Sequence, residues 1–297
     1  MTGRPFVSVV VPTRGRPGAL KRCLESLARQ DYPADAIEIV VIDDGSPQPV
    51  TLSELGSGAS VALHRQAQGG PAAARNHGLE RARGEYVAFI DDDCEASPDW
   101  LRELVSTLQQ HPGAGVGGPV VNELARNAFA EASQALVSFL CKYYNANPED
   151  ARFFTSNNLA FPRAALIEAG GFDAQYQRAA AEDRELCDRW RRQGRRLVTA
   201  PEALVRHSHN LTLPGFWRQH FSYGTGAWHY WQHRANGQSS RVKVEPLGFY
   251  GSLLTWPVRT RGVAGLPLGA LLALAQVANA AGFFSEAIRR RPTSPGT

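Results

Sequence analysis

Several scarcities narrow this chain before any motif is considered. Its four cysteines, Cys23, Cys94, Cys141 and Cys187, are scattered with no CxxC pair, so neither a disulfide nor a zinc framework is indicated, and a reducing cytoplasm is the natural compartment. Excess charge is also scarce: 32 Lys plus Arg against 28 Asp plus Glu leave +4, too little to imply a nucleic-acid partner. The opening Met1-Thr2-Gly3-Arg4-Pro5 runs straight into a short strand and lacks the apolar core of a secretory leader, so export by that route is not expected. No Gly-rich basic loop suited to a triphosphate stands near the N-terminus. What remains, 297 residues at 43% hydrophobic and 20% charged, is ample for one large α/β domain or a smaller domain with an appendage.

What is present is acid at strand ends. Asp91, Asp92 and Asp93 follow the apolar run Tyr86-Val87-Ala88-Phe89-Ile90, and adjacent carboxylates repel unless a cation joins them. A hard divalent ion, Mg²⁺ or Mn²⁺, takes oxygen ligands and commonly shares them with substrate phosphates, so a phosphorylated substrate is expected. An exposed acidic turn is the plain alternative.

Along the first half, strand-length apolar runs alternate with helical periods, the pattern of a sheet covered by helices. Phe6 to Val11 reads as a strand broken at Pro12, followed by a helix with Leu20, Cys23, Leu24 and Leu27 on one face. Ile37 to Ile42 is a second strand that also ends in acid, at Asp43-Asp44-Gly45-Ser46. Pro71 suits the first turn of a helix, and a third strand delivers Asp91 to Asp93. Ligands of open α/β sheets bind at the carboxyl ends of strands, so these acidic turns are expected in one cleft. The spelling Gly113-Ala114-Gly115-Val116-Gly117-Gly118 matches GxGxxG, but it follows a helix and leads into Val120-Val121, the reverse of the order that seats a pyrophosphate. It is expected to end one helix and begin a strand.

Four landmarks in order, Val9-Val10-Val11-Pro12-Thr13-Arg14, Val41-Ile42-Asp43-Asp44-Gly45-Ser46, Ala74-Arg75-Asn76 with Gly84-Glu85-Tyr86, and Phe89-Ile90-Asp91-Asp92-Asp93, resemble the family 2 glycosyltransferases. A fifth, Gly170-Gly171-Phe172-Asp173 followed by Glu182-Asp183, looks like that family's acceptor-side acidic motif. The resemblance covers roughly residues 6 to 210 and implies a GT-A-type, Rossmann-like mixed α/β sheet flanked by helices. The expected division is a catalytic domain over 1–212, its nucleotide-sugar half to about 120 and its acceptor half beyond, and an aromatic, helical C-terminal extension over 213–297.

The implied activity is inverting, metal-dependent transfer of a sugar from a nucleotide donor (UDP, GDP or dTDP) to a hydroxyl acceptor, a glycan or glycolipid of the cell surface. Bond breaking leaves charge on the diphosphate, which Mn²⁺ or Mg²⁺ neutralises as a Lewis acid. Residues alternate about a strand, so Asp91 and Asp93 can face one way as metal ligands while Asp92 points elsewhere, toward sugar or ribose. The family pattern implies Asp93 as the most direct ligand. It implies Asp44, with Asp43 as the alternative, as partner of the nucleobase, beside a wall of Pro12, Thr13 and Arg14. Asp43-Asp44-Gly45-Ser46 also reads as an ordinary turn. Arg75 offers a planar fork for phosphate or base, or a solvated helix face. Asp183 and Glu182 are the catalytic candidates and open a helix ending near Gly194; the helix dipole is expected to keep Asp183 ionised as the general base, with dipole stabilisation as the structural alternative. His207, with His209 as fallback, is the candidate third metal ligand, and Asn157 and Asn158 candidate acceptor-side residues. A nucleotidyltransferase and an inactive nucleotide-sugar-binding protein are the alternatives.

From Pro214 the composition changes. Phe216, Trp217, Phe221, Tyr223, Trp228, Tyr230 and Trp231 are interleaved with Arg218, His220, His229, His233 and Arg234, which suits a membrane interface or burial against a folded domain. Val263 to Phe284 is 22 residues without a formal charge, flanked by Arg259, Arg261 and Arg289 to Arg291. A monotopic or re-entrant anchor on the cytoplasmic face of a membrane is expected, with a soluble helical cap or subunit interface as its rival.

Overall fold

The computed structural model describes residues 4–51, 60–176, 180–235 and 245–290, with side chains of the third stretch followed to 232. The side chains of His233 and Arg234, and Arg291, lie outside the described residues. In chain order the elements are β1 (Val7–Thr13), α1 (Pro17–Ala28), β2 (Ile37–Asp44), β3 (Ser60–Gln66), α2 (Pro71–Arg81), β4 (Tyr86–Phe89), β5 (Cys94–Ala96), α3 (Trp100–Gln110), β6 (Gly115–Gly117), β7 (Val120–Asn122), α4 (Ala128–Tyr144), β8 (Leu159–Pro162), α5 (Arg163–Glu168), α6 (Glu182–Arg192), β9 (Leu197–Thr199), β10 (Val205–His207), α7 (Leu213–Ala235), α8 (Leu247–Arg261) and α9 (Leu266–Arg289).

Seven strands form the main sheet in the order β3-β2-β1-β4-β8-β6-β9, and a small second sheet runs β5-β10-β7. β3, β2, β1 and β4 are parallel, whereas β8 is antiparallel to both β4 and β6. Every residue of β1 and β2 is buried, the condition of parallel strands covered on both faces. Because side chains alternate, each strand feeds two cores. Val7, Val9, Val11, Ile39 and Val41 pack with Leu20, Cys23, Leu24 and Leu27 of α1 and Trp100, Leu101 and Leu104 of α3. Val10, Val40 and Ile42 pack with Leu79 of α2, Leu166 of α5, and Leu186 and Trp190 of α6.

Two strands differ from the sequence reading. β1 continues through Pro12 to Thr13: Val10 O accepts from the Ile90 amide, and fully extended neighbours carry the chain past a proline that needs no ladder donor there. β3 was not anticipated. It lies at the sheet edge with a half-exposed face, so Ser60-Val61-Ala62-Leu63-His64-Arg65-Gln66 has no continuous apolar run to announce it. Two compact units are present, and Ala125–Phe139, together with the residues just before Glu182, belongs with the unit that begins at Asn210.

The glycine run after α3 is explained by space. A Cβ on Gly115 would lie 2.4 Å from Phe161, on Gly117 2.2 Å from Phe154, and on Gly118 2.1 Å from the Ala203 carbonyl. These glycines admit aromatic rings and a crossing backbone; they do not cradle phosphate. In the second unit, a Cβ on Gly224 would meet the Asn279 carbonyl at 2.0 Å and one on Gly282 the Phe221 carbonyl at 2.0 Å, so α7 and α9 are in backbone contact. Phe216, Ala132, Leu211, Leu268 and Ala275 form this unit's core. His220 is fully buried there, and burial pushes its imidazole down to about 4, so it is neutral and no part of a cationic face.

Gly78 sets α2 against the sheet, since a Cβ there would stand 2.2 Å from Val10 Cγ1. Gly78→Ala gains about 1 kcal/mol of helix propensity but overpacks a full core at about 1–3 kcal/mol. We expect chemical denaturation to show net destabilisation of Gly78→Ala in the wild-type background and net stabilisation when it is added to Val10→Ala.

Candidate active site

β1, β2 and β4 run parallel and end at one edge of the main sheet, with Thr13 opposite Asp43 in register. At the end of β2 the two aspartates do different work. Asp43 Oδ1 accepts from the Ser46 amide at 2.8 Å and Asp43 Oδ2 lies 3.5 Å from Arg65; these bonds hold its carboxyl below its ordinary range although burial opposes them. It fixes the turn, and Gly45 (φ 67°) supplies the left-handed residue the turn requires. Asp44 reaches the other way. Its Oδ1 accepts from Gln66 Nε2 (2.8 Å) and the Gly69 amide (2.7 Å), and its Oδ2 from the Gly70 amide (2.9 Å). Asp44 is thus the anchor of the loop that starts α2, and its acceptor capacity is largely used. Pro12 and Thr13 are buried at the end of β1, whereas Arg14 is exposed and donates to Gln68.

The alternation expected for Asp91 to Asp93 is not observed. β4 ends at Phe89 and Asp92-Asp93 form a turn, so the period of two does not apply. Asp92 and Asp93 share one cation, Arg16, and Asp91 faces another. Arg16 donates Nη1 to Asp93 Oδ2 at 2.5 Å and Nε to Asp92 Oδ2 at 3.2 Å, and its Nη2 pairs with Asp92 Oδ1. Thr13 Oγ1 also donates to Asp92 at 2.6 Å. Burial dominates at Asp92, which is fully enclosed, and raises its carboxyl to about 6 despite Arg16. Asp93 is lowered, because the hydrogen bond and charge of His207 together with Arg16 outweigh burial.

His207, at the end of β10, places Nε2 3.4 Å from Asp93 Oδ1. β10 pairs with β5, which aligns His207 with Cys94, and ligand atoms of Asp93, Cys94 and His207 all lie within 4.8 Å of one another. Burial alone would lower the His207 imidazole; the Asp93 carboxylate reverses this and raises it. His209 stacks nearby, 5.3 Å between rings, and is lowered by burial and by the His207 charge. Cys94 is a buried thiol pushed well up by burial. Asp91 stands outside this cluster and pairs with Arg75 instead.

Asp91 belongs to Arg75. That guanidinium, 3% exposed, donates Nη2 to Asp91 Oδ1 at 2.6 Å and Nη1 to Glu182 Oε1 at 3.1 Å, with its carbon 5.5 Å from the Phe172 ring centre. Its fork is filled by carboxylates, which corrects both its expected role toward phosphate and the solvated alternative. Asn76 beside it exchanges two bonds with the Phe172 backbone, 2.7 and 2.8 Å. The Ala74-Arg75-Asn76 landmark therefore stitches the Asp91 turn to both parts of the Gly-Gly-Phe-Asp and Glu-Asp motif.

Asp183 opens α6 after Ala181, the one non-glycine with positive φ (71°) among the described residues. Such strain concentrates where a site is built. Asp183 keeps some solvent contact yet is crowded by protein, and burial followed by the Glu182 charge raises its carboxyl to about 7 against a hydrogen bond from the Arg184 amide. This rise runs against the helix dipole, which contributes only about 0.3–1 kcal/mol toward the ionised form. Asn158 is also corrected. It is fully buried and all its bonds are structural: Trp100 Nε1 donates to it, and its amide donates to the Pro119 and Ala203 carbonyls. Asn157 lies beside the Asp93 cluster instead, donating to Cys94 Sγ at 3.6 Å. Arg16, Gln66 and Cys94 were missed by the sequence reading; the second arginine of Thr13-Arg14-Gly15-Arg16 was the available signal, with Gly15 (φ 64°) folding the loop back.

A family model described as Glycosyl transferase family 2 matches residues 8–172. Among relatives, the glucosyl-dolichyl phosphate glucuronosyltransferase of Haloferax volcanii is 32% identical over 216 residues, 68% of each chain. The pre-mycofactocin glycosyltransferase of Mycobacterium tuberculosis is 30% identical over 231 residues, 74% of this chain and 46% of that longer protein. Among solved structures, the mannosyltransferase PcManGT of Pyrobaculum calidifontis, in complex with GDP-Man and Mn²⁺, aligns with TM-score 0.63 at 22% identity over 99% of this chain and 82% of its own. Staphylococcus aureus TarS 1-349, in complex with UDP-GlcNAc, aligns at 0.55 and 20% over 96% and 91%. The fold is that of the GT-A glycosyltransferases. With these acidic strand ends in that sheet order, the chain belongs to glycosyl transferase family 2 and is a glycosyltransferase.

Proposed function

We propose that the protein is an inverting, divalent-metal-dependent transferase that moves a sugar from a nucleoside-diphosphate donor to a hydroxyl of a cell-surface glycan or glycolipid. The observation that carries this reading is Arg75, which joins the Asp91 turn to the Glu182-Asp183 start of α6. Through it the acids on the donor side and the candidate base are held as one assembly.

The donor set fits a metal of the proposed kind. Asp93 and His207 offer one carboxylate and one imidazole within reach of a single ion, and an imidazole favours a first-row transition ion such as Mn²⁺ over Mg²⁺, whose ligands are almost all oxygens. A divalent ion held there would neutralise charge on the departing diphosphate. The acid-base chemistry belongs to the chain itself. Asp183, ionised, takes the proton of the acceptor hydroxyl as its oxygen bonds to the anomeric carbon and the bond to the donor phosphate breaks; one displacement inverts that centre. Asp44 and the Thr13 end of β1 flank the donor side, and Asn157 lines the approach to Asp93. The named donors of the structural neighbours support a nucleotide sugar, and the lipid-linked substrate named for the archaeal relative supports a glycolipid acceptor.

We place the enzyme at the cytoplasmic face of a membrane. Four free thiols among the described residues suit a reducing compartment. α9 leaves Leu266 (61%), Val277 (58%), Phe284 (62%) and Ile288 (67%) exposed, and Arg289 and Arg290 follow at its end, a pattern that suits anionic lipid.

Because a base must be unprotonated, kcat/KM should rise with pH through about 7, where the Asp183 carboxyl titrates, and then level. Asp183→Asn should lose that limb and about 10²–10⁴-fold in rate; an unimpaired variant removes Asp183 as base. EDTA should abolish transfer and Mn²⁺ restore it, while Asp93→Asn should stay inactive at any Mn²⁺ level; chelator-resistant turnover refutes metal dependence and Asp93's role with it. Val277→Glu with Phe284→Glu should reduce co-sedimentation with anionic vesicles while leaving turnover of a soluble acceptor unchanged; retained sedimentation would sink the membrane placement.

A further inference from the structure

The two arginines of the acidic knot differ in one respect. Arg75 is 3% exposed and fixed between two carboxylates, whereas Arg16 holds Asp92 and Asp93 from a loop with 48% of its side chain in solvent. Arg16 stands at the start of α1, after Gly15, whose amide donates to Ser46 Oγ at 2.8 Å. The backbone of the loop is therefore held while the long side chain can leave without disturbing packing.

The partition of Asp93's oxygens makes this consequential. Oδ1 faces His207 Nε2 at 3.4 Å and Oδ2 takes Arg16 Nη1 at 2.5 Å. A cation bound between Asp93 and His207 would sit one carboxylate away from a guanidinium, and two positive charges at such distances repel by about 1 kcal/mol in water and more in a partly enclosed site. Among the described residues Arg16 is the only charged partner of Asp92, so it also has a reason to remain until something negative offers it another partner. A diphosphate does so, because the planar fork of arginine matches phosphate oxygens.

We propose that Arg16 is a tethered counter-ion of the metal site: it occupies the Asp92-Asp93 pair in the free enzyme, weakens divalent-cation binding there, and turns to the donor diphosphate when both arrive. Metal and nucleotide then bind with positive coupling, and each raises the affinity of the other by the same factor. The inference rests on the proposed metal site at Asp93 and His207. It makes Arg16 a positioning residue whose effect is read in binding rather than in turnover alone.

The test is Mn²⁺ binding to the full chain, followed by the electron paramagnetic resonance of free Mn²⁺, alone and with UDP or GDP, for wild type, Arg16→Gln, Arg16→Lys and Asp93→Asn. Arg16→Gln should bind Mn²⁺ alone about ten-fold tighter, as removal of one nearby like charge implies, and the enhancement by nucleotide should shrink toward one. Arg16→Lys, which keeps the charge and loses the fork, should bind Mn²⁺ alone as weakly as wild type and show a reduced enhancement. Equal Mn²⁺ affinity and equal enhancement in wild type and Arg16→Gln overturn the counter-ion role while leaving the metal site standing. Absence of any Mn²⁺ binding that Asp93→Asn abolishes overturns the metal site itself, and this inference with it.

Discussion

The buried guanidinium of Arg75 is the interaction on which the site depends. Five carboxylates, Asp91, Asp92, Asp93, Glu182 and Asp183, come from two distant stretches of chain, and like charges do not gather without a cation. Arginine is suited to the position because it cannot discharge by losing its proton, and its fork can satisfy two acids at once. Removing one partner of such a buried pair leaves an uncompensated charge, at about 3–5 kcal/mol. The surrounding sequence serves this placement. Pro71 starts α2, Ala72 and Ala74 are fully buried, Gly78 lets the helix lie on Val10, and Asn76 locks the Phe172 backbone. The short stretch from Pro71 to Gly78 thus reads as an instruction to bring one arginine to one point.

A second cation treats the remaining acids differently. Arg75 is walled in between Asp91 and Glu182, whereas Arg16 reaches Asp92 and Asp93 with 48% of its side chain in solvent. The same division appears in the carboxyl groups. Asp93, served by His207 and Arg16, is held well below the usual carboxylate range. Asp183 is crowded by protein and repelled by the Glu182 charge, and its carboxyl rises to about 7. In the mechanism proposed above, one end of the site would hold positive charge and the other would exchange a proton, and that separation follows from where two arginines lie.

Much of this was legible in the sequence. The continuous apolar runs of β1 and β2, with acid at their ends, follow directly from parallel strands buried on both faces, and Pro71 marks the start of α2 as its fixed φ requires. The start of α6 at Glu182 was also readable. What sequence could not show was where charges in turns point. Asp91 to Asp93 were treated as strand residues, but the strand stops at Phe89 and each carboxylate then follows its nearest cation. Asn158 looked like a site amide and is a brace for three separate segments, because an amide's role depends on neighbours that meet only in the fold. Edge strand β3 escaped notice since half-exposed strands carry no strong pattern, yet its Gln66 is what steadies Asp44.

The C-terminal unit shows the same limit for apolar length. A run of 22 uncharged residues suits a bilayer by composition, but α9 uses its apolar surface in two ways. One side is consumed internally, where Gly224 and Gly282 bring α7 and α9 backbones together and Leu272, Ala275 and Ala278 are fully covered. The other side leaves Val277 and Phe284, one helical face apart from those contacts, open to solvent. A helix crossing lipid alone would have no need of the first arrangement, and a helix serving only as a soluble core would not display the second. A stripe with basic residues at its end suits the membrane placement proposed above, with α7 backing the opposite side of the helix.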